Sequence, residues 1–497
     1  VSEVFVELGA RSPAAPVAAC AAPFASLYLD ARGNVRACCI NSTHPLGNVT
    51  RDRLVDIWHG PRVRQLRDAL AAGDYGLGCD LCRPPGGLDL HPTAPARAFD
   101  HLAGHDGPWP RQLELALSNR CNLQCEMCFG ELSSSIRTQR EGLPPLPTVY
   151  DDRFFEDLDL FLPHVEELHF IGGEPFLAPE AWRVWDRLEE LGHRPRCHVT
   201  TNATIRTRRV ERLLETFPVV LTVSLDGATA ATYERIRRGA RFDEVVANLD
   251  HFVEVSRRRG TWVSLAFCLS TTSWPELPDV LRFGEDRGLY VGVNLVSEPA
   301  RLSLWRAPLA LLEEVHATWT ARAEEVAAGL EVNLGTWRSN LAWIEGAVAQ
   351  ARADASAADA TGGDPVGVVR DWAAQHAAGA PVLEAVVDDE DRIVELHGAG
   401  PFSAASGVDL SRTDLTGRPF IALMSGPVVD AFGVAFTSHI EDRLGRRVRF
   451  HEMTFAGRPG LSVRAATVPA PPGGRGRAVV SVRLPEGSAA GAGRVAG

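Results

Sequence analysis

The stretch Leu113-Glu-Leu-Ala-Leu-Ser-Asn-Arg-Cys-Asn-Leu-Gln-Cys-Glu-Met-Cys-Phe129 runs from an apolar, strand-like segment straight into three cysteines, Cys121, Cys125 and Cys128. Thiolates at this spacing can hold three irons of a 4Fe-4S cluster and leave the fourth iron open to a small molecule. Closely spaced cysteines also hold structural zinc, which takes four ligands. Residues 129–143 offer neither Cys nor His, and no further Cys-x-x-Cys pair stands beside the triad. The spacing therefore favours iron and sulfur.

Outward from the triad, strand-like and helix-like patterns alternate. Strands are expected at 113–117, 167–171, 196–200, 219–224, 262–269 and 290–296, and helices at 152–162, 179–191, 207–216, 242–258 and 275–287. Alternation of this kind predicts a parallel sheet with right-handed crossovers, curled into a partial (β/α)6 barrel. Such a barrel gathers the C-terminal ends of its strands on one face, where the sites of β/α barrels form. The triad, the run Gly172-Gly173-Glu174-Pro175, Asn202 and Ser224 all fall at such ends.

The triad followed by Gly172-Gly-Glu-Pro175 resembles the paired signature of the radical S-adenosylmethionine (radical SAM) superfamily. Thr200-Thr-Asn202, Ser224-Leu-Asp-Gly227 and Tyr233-Glu-Arg-Ile-Arg-Arg-Gly239 extend the resemblance to its peptide- and sugar-modifying branch. Taken singly, each of these runs would be a turn or a cap after a strand. The resemblance implies a SAM-binding 4Fe-4S cluster on Cys121, Cys125 and Cys128. It also implies that Gly172 and Gly173 admit the methionine end of SAM, that Glu174 accepts from its amino group, and that Asn202, Ser224 and Arg237 touch the rest of it. Met127 stands where the family usually has an aromatic residue, and a thioether can pack on an adenine ring in its place.

A second cysteine set lies near the start: Cys20, Cys38, Cys39, Cys79 and Cys82. A hairpin over 27–40 would deliver Cys38 and Cys39 at its far end, a helix over 54–70 would break near Gly60-Pro61, and Cys79-Asp-Leu-Cys82 would close the unit. On spacing alone zinc competes here. Gly33-Asn-Val-Arg-Ala-Cys38, Leu46-Gly-Asn48, Leu54-Val-Asp-Ile-Trp58 and Cys79-x-x-Cys82 resemble the twitch form of the SPASM module, placed before the barrel instead of after it. That resemblance implies an auxiliary 4Fe-4S cluster on Cys20, Cys38, Cys79 and Cys82, with Cys39 as the alternative to Cys38.

The expected organisation is an auxiliary Fe-S domain at 1–90, a linker at 91–110, the radical SAM barrel at 111–300, and a helical extension and linker at 301–364. An α+β domain follows at 365–484, which loosely resembles a PAS sensor domain, with five strands around a helix at 426–444; a disordered tail closes the chain at 485–497. The overall class is α/β. A formal net charge of −12 over 497 residues opposes binding to a phosphate backbone, so no nucleic-acid partner is expected. No apolar run is long enough for a membrane span and no secretory signal is legible, so cytoplasmic residence is expected. All 51 basic residues are arginine, which excludes lysine Schiff-base chemistry.

The family resemblance implies an enzyme that reductively cleaves SAM to a 5'-deoxyadenosyl radical and abstracts hydrogen from its substrate. The expected reaction is epimerisation or oxidation of a glycoside or oligosaccharide antibiotic intermediate, hence an epimerase or oxidoreductase of antibiotic biosynthesis. A ribosomally made peptide is the alternative substrate, and a flavodoxin or ferredoxin the expected electron donor. Cys268, near the end of the fifth barrel strand, is a candidate hydrogen-atom donor, although a lone Cys in an apolar strand is ordinarily a small buried hydrophobe. A reading of another class is a non-enzymatic metal-binding sensor.

Overall fold

The computed structural model describes residues 20–79, 82, 95–105, 107–361 and five strands between 382 and 483. The helix expected at 426–444 and the tail at 485–497 lie outside the described residues. The chain forms two compact units. The first runs through Leu269 and takes in Pro275–Asn294 and Glu324–Trp337; the second comprises Ser270–Trp274, Leu295–Ala323 and the chain from Arg338.

Among the described residues, eleven strands precede the C-terminal region: β1 (Ser26–Leu29), β2 (Asn34–Arg36), β3 (Gly47–Asn48), β4 (Gln112–Leu115), β5 (Gln124–Cys125), β6 (Glu167–Phe170), β7 (Arg196–Thr201), β8 (Val219–Ser224), β9 (Arg237–Arg238), β10 (Val263–Leu269) and β11 (Val291–Leu295). Nine form one sheet in the order β11-β10-β8-β7-β6-β4-β1-β2-β3, while β5 and β9 make a separate ribbon. The run β4 to β11 is the expected six-stranded partial barrel, with its strands in chain order. The pairs β4/β6, β6/β7, β7/β8 and β8/β10 are parallel.

Alternation along the strands sorts the two faces. In β6, Leu168 and Phe170 are buried, and Phe170 packs on Trp185 of helix Pro179–Leu191 with ring centroids 4.4 Å apart. Glu167 and His169 therefore point to the opposite, inner face. Cys197 and Val199 of β7 are likewise buried, leaving His198 and Thr200 on the inner face. Ser264, Ala266 and Cys268 of β10 alternate with buried Val263, Leu265, Phe267 and Leu269. Helix starts are fixed by side-chain caps, such as Asp151 accepting from Phe154 N–H at 3.0 Å and Thr207 from Val210 N–H at 3.3 Å.

The N-terminal region joins the barrel sheet directly, because β1 pairs parallel with β4 in the register Tyr28↔Glu114. The sequence pattern shows the β1–β2 hairpin but not this pairing. The second hairpin strand is shorter than expected: β2 stops at Arg36, and Cys38 and Cys39 sit in the bend beyond it. Helix Leu54–Trp58 has no side-chain cap of its own at Arg53. Buried Asp157, in helix Asp152–Phe161, supplies it instead: Oδ2 accepts from Leu54 N–H at 2.8 Å and Oδ1 accepts from Arg53. Within the segment expected as a linker, Pro95–Leu102 forms a 3-10 helix whose Phe99 and Leu102 pack on Ala21, Ala22 and Ala25.

Past β11, helices cover Leu309–Ala321, Ala323–Ala328 and Leu334–Thr361. The last outruns the expected boundary because its alanine-rich end favours the helical state over a linker. The C-terminal strands β12 (Val382–Val387), β13 (Ile393–His397), β14 (Arg449–Thr454), β15 (Ser462–Val468) and β16 (Arg477–Arg483) form an antiparallel sheet in the order β13-β12-β16-β15-β14. Among the described residues, no helix is long and apolar enough to cross a membrane. Replacing Asp157 by alanine leaves the buried Leu54 N–H without its acceptor. Chemical denaturation of the Asp157→Ala protein should show a loss of about 1–3 kcal/mol; unchanged stability would deny the cap its role.

Candidate functional site

Cys121, Cys125 and Cys128 lie on a loop that follows β4 and is clamped from two sides. On one side Cys125 is the last residue of β5 and pairs with Arg237 of β9, and Glu126 N–H donates to Ile236 O at 2.8 Å. On the other, Gly173 N–H donates to Ser118 O at 3.1 Å and Glu174 N–H to Arg120 O at 2.6 Å. The two glycines make this approach possible. Gly172 has φ +105°, and a Cβ on Gly173 would sit 2.3 Å from Arg120 O. Their first task is thus to seat one loop backbone on another. Ser134 completes the loop, its Oγ accepting from Cys121 N–H at 3.2 Å.

The three thiols are buried or nearly so, and their charged forms repel one another. Burial pushes Cys121 up to about 11; burial, then neighbouring Cys125 and Cys121, push Cys128 up to about 12; burial also raises Cys125. Such a set carries thiolate charge only around a positive centre, which is the chemistry of an iron-sulfur core. Asn202 Nδ2 lies 3.9 Å from Cys121 Sγ and an Arg237 amino nitrogen 3.8 Å from Cys125 Sγ. Arg237 is buried and ion-paired with fully buried Asp226 at 2.7 Å. Arg237 thus stands against a cysteine of the loop, where its charge favours the thiolate.

Glu174 is fully enclosed. Its Oε1 accepts from Phe176 N–H at 3.1 Å and Thr201 Oγ1–H at 2.9 Å, and its Oε2 from Asn202 N–H at 2.7 Å. Burial outweighs these bonds and pushes its carboxyl up to about 7, so a cation beside it would restore the charge. Ser224 ends β8, in register with Ala266 of β10. A cavity of about 580 Å³ opens beside Cys121, with Ser118, Arg120, Asn122, Ser134 and Glu180 in its wall. Volumes of this order suit a small-molecule ligand.

The second cysteine set also converges. Burial raises the Cys20 thiol, and Cys38, Cys82 and Cys79 add to the effect as neighbouring charges. Asn41 links two of them: its N–H lies 3.4 Å from Cys38 Sγ and its Nδ2 3.4 Å from Cys79 Sγ. Ala22 N–H lies 3.4 Å from Cys20 Sγ. Cys39 is set apart from this group, with Glu114 of β4 as its strongest charged neighbour after burial. A tetrahedral zinc with Zn–S of about 2.3 Å would hold its sulfurs about 3.8 Å apart. Among the described residues, the trio of donors within 4.8 Å of one another is Glu167, His169 and His198, and no cysteine trio is so close.

Cys268 lies on the inner face of β10. Its N–H donates to Asp226 Oδ1 at 2.7 Å, and burial, then Asp226, hold its thiol well above the usual range. Sequence reasoning missed Asn41, whose backbone N–H and side-chain amide reach Cys38 and Cys79 respectively, and the Asp226–Arg237 pair. The pair was within reach, since both residues belong to quoted motifs; no local pattern marks Asn41.

Residues 115–283 match the family model for the Radical SAM superfamily, and residues 20–83 that for an iron-sulfur cluster-binding domain. Among curated proteins, the GTP 3',8-cyclase of Streptomyces coelicolor is 32% identical over 145 residues, covering 28% of this chain and 39% of its own. The GTP 3',8-cyclase of Synechococcus elongatus is 27% identical, covering 38% and 56%, and the molybdenum cofactor biosynthesis protein 1 of Bos taurus is 27% identical, covering 35% and 26%. The chain thus spans about a quarter to just over half of these relatives. Among solved structures, AdoMet-bound anSMEcpe has 15% identity and a TM-score of 0.33, covering 43% of this chain and 62% of that one. Streptococcus suis SuiB bound to precursor peptide SuiA has 19% identity and a TM-score of 0.31, covering 44% and 47%.

A Gly173→Ala substitution should drive the two loops apart. Iron retained after anaerobic reconstitution should fall by about half, with a stability loss of about 1–3 kcal/mol; full iron content and unchanged melting would contradict the clamp.

Proposed function

Because the chain carries a radical SAM domain preceded by an iron-sulfur cluster-binding domain, we propose that it is a radical SAM enzyme in which Cys121, Cys125 and Cys128 hold the SAM cluster and Cys20, Cys38, Cys79 and Cys82 an auxiliary one. The observation that carries the reading is the clamped triad with Arg237 and Asn202 against two of its sulfurs. The cluster, when bound, supplies the electron that cleaves SAM and releases a 5'-deoxyadenosyl radical able to abstract hydrogen from carbon.

The chain's own residues arrange that chemistry. Glu174, fixed by Thr201 and Asn202, offers its carboxylate to the ammonium of SAM, and Ser224 reaches the same ligand from the end of β8. The inner face of the barrel holds the substrate away from bulk water. Cys268 gives a hydrogen atom to the substrate carbon radical, and the thiyl radical left on it would take one electron from the reductant, by way of the auxiliary cluster, and one proton from water to become a thiol again. Two features support this role: the thiol stays protonated, and its backbone is fixed to Asp226.

The reaction that uses these parts is epimerisation at a carbon of a glycoside or oligosaccharide, with the auxiliary cluster available to exchange electrons if the outcome is oxidation. Asn41 stabilises sulfur charge at that second site. The matched GTP 3',8-cyclases cover 28–38% of this chain, too little to bring their substrate with them. We further assign the enzyme to the cytoplasm, with a flavodoxin or ferredoxin as reductant, and read the C-terminal sheet as a PAS-like sensory domain.

Two outcomes test this reading. Anaerobic protein reduced with dithionite should form 5'-deoxyadenosine from SAM, and Cys125→Ala should lower the rate by about 10²-fold or more; equal rates would remove the triad from the chemistry. With candidate glycosides in deuterated buffer, the product should gain one deuteron at unchanged oxidation level. Cys268→Ala should abolish that gain while 5'-deoxyadenosine still forms, and an unaltered product would exclude Cys268 as donor.

A further inference from the structure

Glu167, His169 and His198 gather on the inner face of the barrel, apart from both cysteine sets. The register of β6 and β7 places His169 beside His198, with Glu167 two residues earlier on the same face. Their donor atoms all lie within 4.8 Å of one another. Glu167 Oε2 is 3.5 Å from His169 Nε2 and 3.9 Å from His198 Nε2. The two rings stand with centroids 4.5 Å apart and planes inclined by 39°. Both Nε2 atoms are buried; His169 Nε2 has only its long approach to Glu167 Oε2, and His198 Nε2 meets no closer hydrogen-bond acceptor. Two buried imidazole nitrogens turned toward one carboxylate oxygen at these long separations form an arrangement that a shared cation would complete.

We propose that Glu167, His169 and His198 bind a divalent transition-metal ion of the zinc class. Two imidazoles and a carboxylate are a donor set that zinc takes at about 2.0–2.2 Å, which puts the ligand atoms of a tetrahedral ion about 3.4 Å apart. The two carboxylate–imidazole separations, 3.5 and 3.9 Å, lie close to that value, and the third is within 4.8 Å. Three protein ligands leave a coordination position for water or a substrate oxygen.

The surroundings suit such an ion. Arg196 holds the other carboxylate oxygen, Oε1, at 3.2 Å, and His101 Nε2 lies 3.3 Å from Oε2, so the carboxylate is oriented from outside the trio.

The test uses the protein with its iron-sulfur sites reconstituted, so that cysteines are occupied, exposed to zinc and desalted. Zinc-edge X-ray absorption should then show about one retained zinc per chain with a nitrogen and oxygen shell at about 2.0–2.1 Å. A His169→Gln/His198→Gln protein should retain at least tenfold less while keeping its cluster iron. No retained zinc in the unmutated protein, or a sulfur shell at about 2.3 Å, would overturn the proposal. Should the double variant lose iron as well, the ligand shell of the unmutated protein decides the matter. These readouts do not depend on SAM cleavage, so the radical chemistry can fail without touching them.

Discussion

Three thiols on one short loop, one buried and two half-buried, cannot all carry charge unless a positive centre lies between them, and the architecture around them serves to keep them together. Desolvation raises all three thiols, and repulsion from neighbouring thiols adds to it at Cys121 and Cys128. The loop nevertheless has few ways to move apart. Gly172 and Gly173 press their backbone onto Ser118–Arg120, and the β5–β9 ribbon ties Cys125 to Arg237. Arg237 brings a cation to one sulfur, and Asp226 holds Arg237 there. An isolated buried ion pair of this kind contributes little net stability; its position beside a thiolate gives it an electrostatic purpose.

The same sheet carries both cysteine sets. Because β1 pairs with β4, the N-terminal hairpin is a continuation of the barrel sheet, and Asp157 fixes the hairpin's following helix to a helix of the barrel. Backbone pairing and carboxylate-to-backbone contacts fix the register at these joints. The inner face of the barrel is correspondingly polar, carrying Glu114, Glu167, His169, His198, Thr200 and Cys268, while the outer face holds Leu168, Phe170, Cys197 and Val199 under the helices. An apolar outside and a polar inside suit a barrel whose interior receives a ligand.

Much of this is legible in the residues. Short strand-like segments alternating with helical ones mark all six barrel strands, and the cysteine spacing marks both sets. The sequence does not show cross-strand partners, because register depends on neighbours far away in the chain. The β1–β4 pairing and the meeting of His169 with His198 both escape for that reason. The glycines of Gly172-Gly173 read as room for a ligand, yet their contacts with Ser118 and Arg120 show that the room is first taken by backbone. Cys38 and Cys39 are equivalent by spacing. The bend after β2 separates them, sending Cys38 toward Asn41 and Cys39 toward Glu114.

The central claim is a cluster with one iron left free for SAM. Mössbauer spectroscopy of protein reconstituted with iron-57, recorded with and without SAM, addresses it directly. The account predicts about eight irons per chain in two 4Fe-4S clusters, with one iron in eight changing its isomer shift when SAM is added. A spectrum indifferent to SAM, or protein that takes up no cluster iron, would contradict it.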